Sequence, residues 1–251
     1  INIMCQILLC LKETIMEKLK VMVVFGTRPE AIKMAPLVLE LQKHSDCIET
    51  ITVVTAQHRQ MLDQVLETFR IQPNYDLDIM GKNQSLLDIT AKILQKFDPI
   101  VKKELPDMIL VHGDTTTTFV ASLVAFYNQV GIGHVEAGLR TFDKYSPFPE
   151  EMNRQMTDNL ADLYFAPTTD SKENLLKENH PESAIIITGN TAIDALKLTV
   201  QSNYYHEVLD RLDPLKKLVL VTMHRRENQG QPMRDVFAAL RVAGPVSYTH
   251  L

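Results

Sequence analysis

"VVFGTRPEAIKMAP", residues 23–36, sets an arginine, a glutamate and a lysine directly after a run of apolar residues. Residues 21–25 are short, β-branched and aromatic and are bounded by Gly26, so they read as a buried strand. Gly26 permits a sharp turn. Pro29 suits the first turn of a helix, where its missing N–H costs nothing. From Ala31 onward Ile32, Ala35, Leu37, Val38 and Leu41 recur at helical spacing. A strand, tight turn and helix in this order present free backbone N–H groups to an anion, and Arg28 and Lys33 add positive charge at that end. Most Arg and Lys side chains are solvated surface charges. Position favours the anion site, because ligands of open α/β sheets bind at the carboxyl ends of the strands.

The same alternation runs onward. "CIETITVVTA" (47–56) reads as a strand, followed by a helical pattern through Met61, Val65, Leu66 and Phe69. A loop, 70–84, leads to a long helix from about Ser85 to Leu105. "DMILVHGD" (107–114) is a strand and "TTTTFVASLVAFYNQ" (115–129) a helix whose threonines suit capping. Strand, helix, strand, helix, strand and helix follow at 131–138, 149–161, 162–168, 171–179, 184–189 and 190–200. The fold class is therefore α/β, a Rossmann-like parallel sheet with helices on both faces. "LVLVTMHRREN" (218–228) reads as a fresh strand that repeats the opening pattern, the beginning of a second domain. The expected organisation is a non-native leader over 1–15, an N-terminal domain over 16–189, the incomplete start of a nucleotide-binding domain over 190–243, and a foreign tail over 244–251.

Bulk properties narrow the function classes. The 251 residues are 45% hydrophobic and 23% charged, with a net charge of −5 and no tryptophan. That balance disfavours a general nucleic-acid binder, and the few aromatics weaken a base-stacking surface. Cys5, Cys10 and Cys47 form no CxxC pair and no disulfide framework, which suits a reducing cytoplasm. No apolar run reaches the length of a membrane span, and 1–15 lacks the basic region and cleavage site of a signal peptide.

Charged groups recur at predicted strand ends: Arg28 and Lys33, His112 and Asp114, His134 and Glu136, His224 and Arg225. In a parallel sheet these ends share one edge. Glu150, Glu151 and Arg154 stand near a helix start. Carboxylates beside histidine and cations suit proton transfer next to a phosphorylated substrate. Asp114 also reads as a helix N-cap, and Glu150 and Glu151 as complements of a helix dipole. Glu136 in a short strand needs a partner. No metal-ligand spacing points to zinc, so no metal site is assigned, although the acidic oxygens leave a loosely held Mg²⁺ open; neither GxGxxG nor GxxxxGK[ST] is present, so no dinucleotide cofactor is expected.

"VFGTRPEAIKMAP", "TAQHRQM", "VHGDTTTTFVASLVAFY", "GHVEAGLRT", "SPFPEEMNRQ", "TGNTAIDAL" and "HRREN" together resemble the non-hydrolysing UDP-N-acetylglucosamine 2-epimerases of bacteria, from Met16 to about Val242. The resemblance implies a two-domain glycosyltransferase-B-like fold with its second domain truncated here. It implies interconversion of UDP-GlcNAc and UDP-ManNAc through a 2-acetamidoglucal intermediate, for cell-envelope polysaccharides and without a cofactor. By motif position, Asp114, Glu136, Glu150, His224 and Lys33 would be catalytic, and Arg28, Lys33 and His224 would bind substrate. Gln57, Gln60, Glu150 and Arg225 would hold a second, activating UDP-GlcNAc. Asn83 departs from the family, which has an arginine before the glutamine. The expected partners are UDP-GlcNAc, as substrate and activator, and a second copy in a homodimer, with neither nucleic acid nor membrane. A hydrolysing epimerase and a glycosyltransferase are the rival activities, and a truncated chain could be an inactive fragment.

Overall fold

The computed structural model describes residues 18–56, 59–81, 84–213, 215, 218, 219, 221, 223 and 230–243. The chain divides into two compact units, one through Thr199 and one from Val200.

The first unit is built on a seven-stranded, all-parallel sheet: β1 (Leu19–Phe25), β2 (Ile48–Val54), β3 (Tyr75–Asp76), β4 (Met108–His112), β5 (Gly131–Val135), β6 (Leu163–Ala166) and β7 (Ile185–Ile187). The strand order is β3-β2-β1-β4-β5-β6-β7. Helices α1 (Arg28–Lys43), α2 (Arg59–Phe69), α3 (Leu86–Glu104), α4 (Thr116–Tyr127), α5 (Glu150–Leu160), α6 (Thr169–Lys177) and α7 (Thr191–Thr199) connect or follow the strands. The Rossmann-like α/β class read from the strand and helix alternation is thus what the chain adopts.

Period-2 alternation in β1 shows why both faces are covered. Leu19, Val21, Val23 and Phe25 join one apolar cluster with Met34, Leu37 and Leu41 of α1 and Leu62 and Val65 of α2. Met22 and Val24 point the other way, into a second cluster with Ile93 and Phe97 of α3 and Val120 and Val124 of α4. Each such fully buried side chain stabilises the fold by roughly 1.5–3 kcal/mol. A third, smaller cluster gathers Tyr164, Ala166, Leu175 and Ile185.

Three expectations change. The stretch 70–84 is not wholly loop: Tyr75–Asp76 pairs with Val53 and Val54 as an edge strand too short to show periodicity. The first compact unit runs past Gly189, because α7 buries Ala195 in the same cluster as Ala31 and Ala35 of α1. In the second unit, Leu218, Val219, Val221 and Met223 form no strand, and Leu218 and Val219 are exposed. A parallel strand needs a hydrogen-bonded neighbour, and none is present among the described residues. That unit contains α8 (Glu207–Asp210) and α9 (Gln231–Ala243). The remaining residues of the 218–228 stretch lie outside the described residues. Among the described residues no helix is long and apolar enough to cross a membrane.

Candidate active site

The strand order reverses direction at β1 and β4: from β1 the chain proceeds outward to β2 and β3, then returns to β4 on the other side. Such a switch point opens a crevice at the carboxyl ends of the two strands. Gly26–Arg28 follow β1, Gly113–Thr115 follow β4, and Glu136 follows β5, so the three loops share this edge.

Glu30 clasps the crevice floor. Its carboxylate is buried, with Oε2 accepting from the Gly26 and Thr27 N–H groups at 3.1 and 2.7 Å. Oε1 accepts from the Thr115 and Thr118 hydroxyls at 2.7 and 3.2 Å, from the start of α4 on the opposite face. Burial raises the Glu30 carboxyl above its ordinary value, and these hydrogen bonds pull the other way. The Gly26 and Thr27 N–H groups are therefore already taken, and are not free for an anion as the sequence suggested. Thr27-x-x-Glu30 is a capping-box pattern, the signal that could have revealed this. Gly26 is required for space rather than for an unusual φ: a Cβ there would lie 2.1 Å from Thr55 Oγ1 and 2.6 Å from Thr117 Oγ1.

Lys33 is not a solvated surface charge. Its Nζ donates to both carboxylate oxygens of Glu136 at 2.6 and 2.7 Å. Glu136 sits at φ 67°, a left-handed conformation uncommon for a side-chain-bearing residue and typical of functional positions. Its N–H donates to Phe165 O of β6, which holds the turn in place. His112 Nε2 lies 3.4 Å from Glu136 Oε2. Burial first, then the charges of Lys33 and His134, push the His112 imidazole well below its usual range, so it is neutral.

Asp114 is not the N-cap of α4. Thr115 takes that place, its side chain accepting from Thr118 N, and Asp114 instead pairs with Arg154 of α5 at 2.7 Å. Burial raises the Asp114 carboxyl, opposed by Arg154 and reinforced by the charges of Glu150 and Glu136. The charges of Glu136 and Glu150 thus both reach Asp114. Glu150 opens α5, and its side chain makes no hydrogen bond or ion pair among the described residues. Arg28, the first residue of α1, is exposed and likewise unpaired among them. Both groups remain available to a ligand.

A buried polar network supports this layer from below. His134 of β5 bonds Gly113 O through Nε2 at 2.7 Å and Asp158 through Nδ1 at 2.5 Å. Asp158 also accepts from Arg140, which grips Glu178. Glu151, next to Glu150, accepts from the Thr141 and Phe142 N–H groups and so anchors the preceding loop. Asp158, Arg140 and Glu178 carry no local signature, because only tertiary pairing brings them together.

Gln57, Asn83, His224 and Arg225 lie outside the described residues, and of Gln60 only the backbone, in the first turn of α2, is described. Among the described residues no group of His, Cys, Asp or Glu could hold a metal ion.

Comparison with known proteins agrees with this architecture. The sequence matches the UDP-N-acetylglucosamine 2-epimerase family over residues 12–245. It is 61% identical over 226 residues to the UDP-N-acetylglucosamine 2-epimerase of Bacillus subtilis, covering 90% of this chain and 59% of that protein. The S. aureus MnaA–UDP co-structure superposes with a TM-score of 0.81 at 55% identity, over 89% of this chain and 59% of that one. The UDP-GlcNAc 2-epimerase from Neisseria meningitidis, bound to UDP-GlcNAc, gives a TM-score of 0.69 at 58% identity, over 71% of this chain and 49% of that one. The chain spans less than two thirds of the length of these relatives. By sequence and by fold, it belongs to the UDP-N-acetylglucosamine 2-epimerase family.

Proposed function

We propose that the protein, at the full length of its relatives, interconverts UDP-GlcNAc and UDP-ManNAc by expelling UDP and adding it back at C1 while the proton returns to the opposite face of C2. The observation that carries this is the grouping of Asp114 and Glu136 at the carboxyl ends of β4 and β5, with Glu136 held by Lys33 and the charges of Glu136 and Glu150 both acting on Asp114. A C2 proton beside an acetamido group is not acidic enough for direct removal. Loss of that proton together with cleavage of the C1–O bond to UDP gives the C1=C2 double bond of 2-acetamidoglucal. Returning a proton to the other face while UDP re-adds at C1 completes the inversion. This needs acid/base groups on both faces of the sugar, which the three carboxylates supply collectively. No net oxidation occurs, so the chemistry calls for no redox cofactor.

Arg28 and Lys33 are read as the cations that receive the diphosphate as charge develops on it. His224 is assigned beside the phosphate by its motif. Gln57, Gln60, Glu150 and Arg225 are assigned to a second UDP-GlcNAc that activates the enzyme. The nucleotide-binding domain, a homodimer and a cytoplasmic location belong to the same reading.

The test is incubation of a chain carried to the relatives' full length with UDP-GlcNAc and no acceptor. A mixture of UDP-GlcNAc and UDP-ManNAc is expected. Release of free ManNAc and UDP would mean a hydrolysing epimerase, and turnover only with an added acceptor would mean a transferase.

A further inference from the structure

His112 combines two features that rarely coexist. Its side chain is only 4% exposed, yet neither ring nitrogen has a hydrogen-bond partner among the described residues. Buried polar groups are nearly always paired, so an orphaned imidazole calls for a reason. Its Nε2 lies 3.4 Å from the group that most needs a reserve partner, Oε2 of Glu136. Glu136 is itself 14% exposed and depends on one ammonium, that of Lys33, for both its oxygens.

A phosphate arriving at the same crevice would compete with Glu136 for the Lys33 ammonium. Once Lys33 turns toward the phosphate, the Glu136 carboxylate is left in a poorly solvated place without a donor. We propose that His112 is a positioning residue for Glu136, the donor that takes over its carboxylate when Lys33 is drawn to an anionic ligand. The diphosphate as that ligand rests on the function proposed above; the exchange of partners itself does not.

The backbone around His112 is built to stay still while the side chains exchange. His112 is in register with Val135 of β5, the residue before Glu136. Its carbonyl accepts from Thr118 Oγ1 at 2.5 Å, and the next N–H, of Gly113, donates to Val135 O. Closing 3.4 Å to a normal hydrogen bond needs a side-chain shift of about half an ångström. A neutral ring donates without bringing an extra charge. The Nε2–H tautomer is the economical one, since it leaves on Nδ1 a lone pair rather than an N–H.

Ring ¹H–¹⁵N spectra of the ¹⁵N-histidine-labelled chain test this, with the His112 signal assigned by its loss in His112→Gln. In Lys33→Met the His112 Nε2 proton should move downfield and become protected from solvent exchange, with the other histidines unchanged. Should Lys33→Met fail to fold, Lys33→Gln, which removes the same charge, should give the same shift. An unchanged His112 signal in a folded Lys33 variant, or an Nδ1–H tautomer, would overturn the proposal and return His112 to an ordinary core histidine. Added UDP should reproduce the shift in the unsubstituted chain and uridine should not. If UDP moves nothing while the Lys33 variant moves His112, the exchange stands and the diphosphate reading fails.

Discussion

Lys33 of α1 and Glu136 beyond β5 close a two-point ion pair across the switch of the sheet, with Nζ 2.6 and 2.7 Å from the two carboxylate oxygens. The pair joins a helix on one side of the crevice to the end of a strand beyond β4, residues 103 apart in sequence. In the proposed reaction it couples a cation read as receiving the diphosphate to a carboxylate read as moving a proton. Proton transfer and leaving-group departure would then be sensed by the same pair of side chains.

Asp114→Asn and Glu136→Gln should each lower turnover by ~10²–10⁴-fold, the usual contribution of a positioned acid/base group. Because Thr115 caps α4, an effect of Asp114→Asn cannot be ascribed to a lost cap. Steady-state rates together with thermal midpoints separate the two roles. Turnover near that of the unsubstituted protein in Asp114→Asn would remove Asp114 from the chemistry.

Asp158 sets a pH limit on stability. Burial alone would raise its carboxyl, but the charges and hydrogen bonds of His134 and Arg140 outweigh this and hold it below 3.8. A depressed folded-state pKa means the unfolded chain binds more protons in that window. Its contribution is therefore fully present well above the ordinary aspartate pKa and is lost as pH falls through the lower folded value. Asp158→Asn should cost about 3–5 kcal/mol at pH 7, as breaking one side of a buried pair does. The gap between the two proteins should narrow in strong acid, measured by urea denaturation at each pH.

Gly26→Ala should destabilise by about 1–3 kcal/mol, the cost of overpacking, since its Cβ would enter the space of the Thr55 and Thr117 hydroxyls. Adding Thr55→Ala should recover part of the loss. An equally stable Gly26→Ala would show that the β1 turn has slack.

The fold was legible because β1, β4, β6 and β7 are short apolar runs with a glycine or proline near one end, and the long helices carry their own 3.6-residue pattern. The site was legible in part. A carboxylate such as Glu136 at the end of a buried strand announces a need for a partner, but that the partner is Lys33 follows only from strand order. Glu30 was hidden for a different reason. The Thr27-x-x-Glu30 pattern is local, but its reach to Thr115 and Thr118 crosses the sheet. His134 and Asp158 lie on separate elements with no periodicity linking them. Gly26 read as a turn former, whereas its need is for room beside side chains distant in sequence.

Limited proteolysis should trim the chain to a core that retains α7, ending after Thr199, because Ala195 is buried with the α1 residues. Mass spectrometry of the resistant fragment reads the end point. A core ending at Gly189 would show that α7 contributes little to the unit.

The most direct measurement is the fate of the C2 hydrogen. A chain carried to the length of its relatives, incubated with UDP-GlcNAc in D₂O, should yield both UDP-GlcNAc and UDP-ManNAc with deuterium at C2, detected by proton NMR. That result follows if the carboxylates of Asp114, Glu136 and Glu150 remove and return the proton. Conversion to UDP-ManNAc with the original hydrogen retained at C2 would contradict the account.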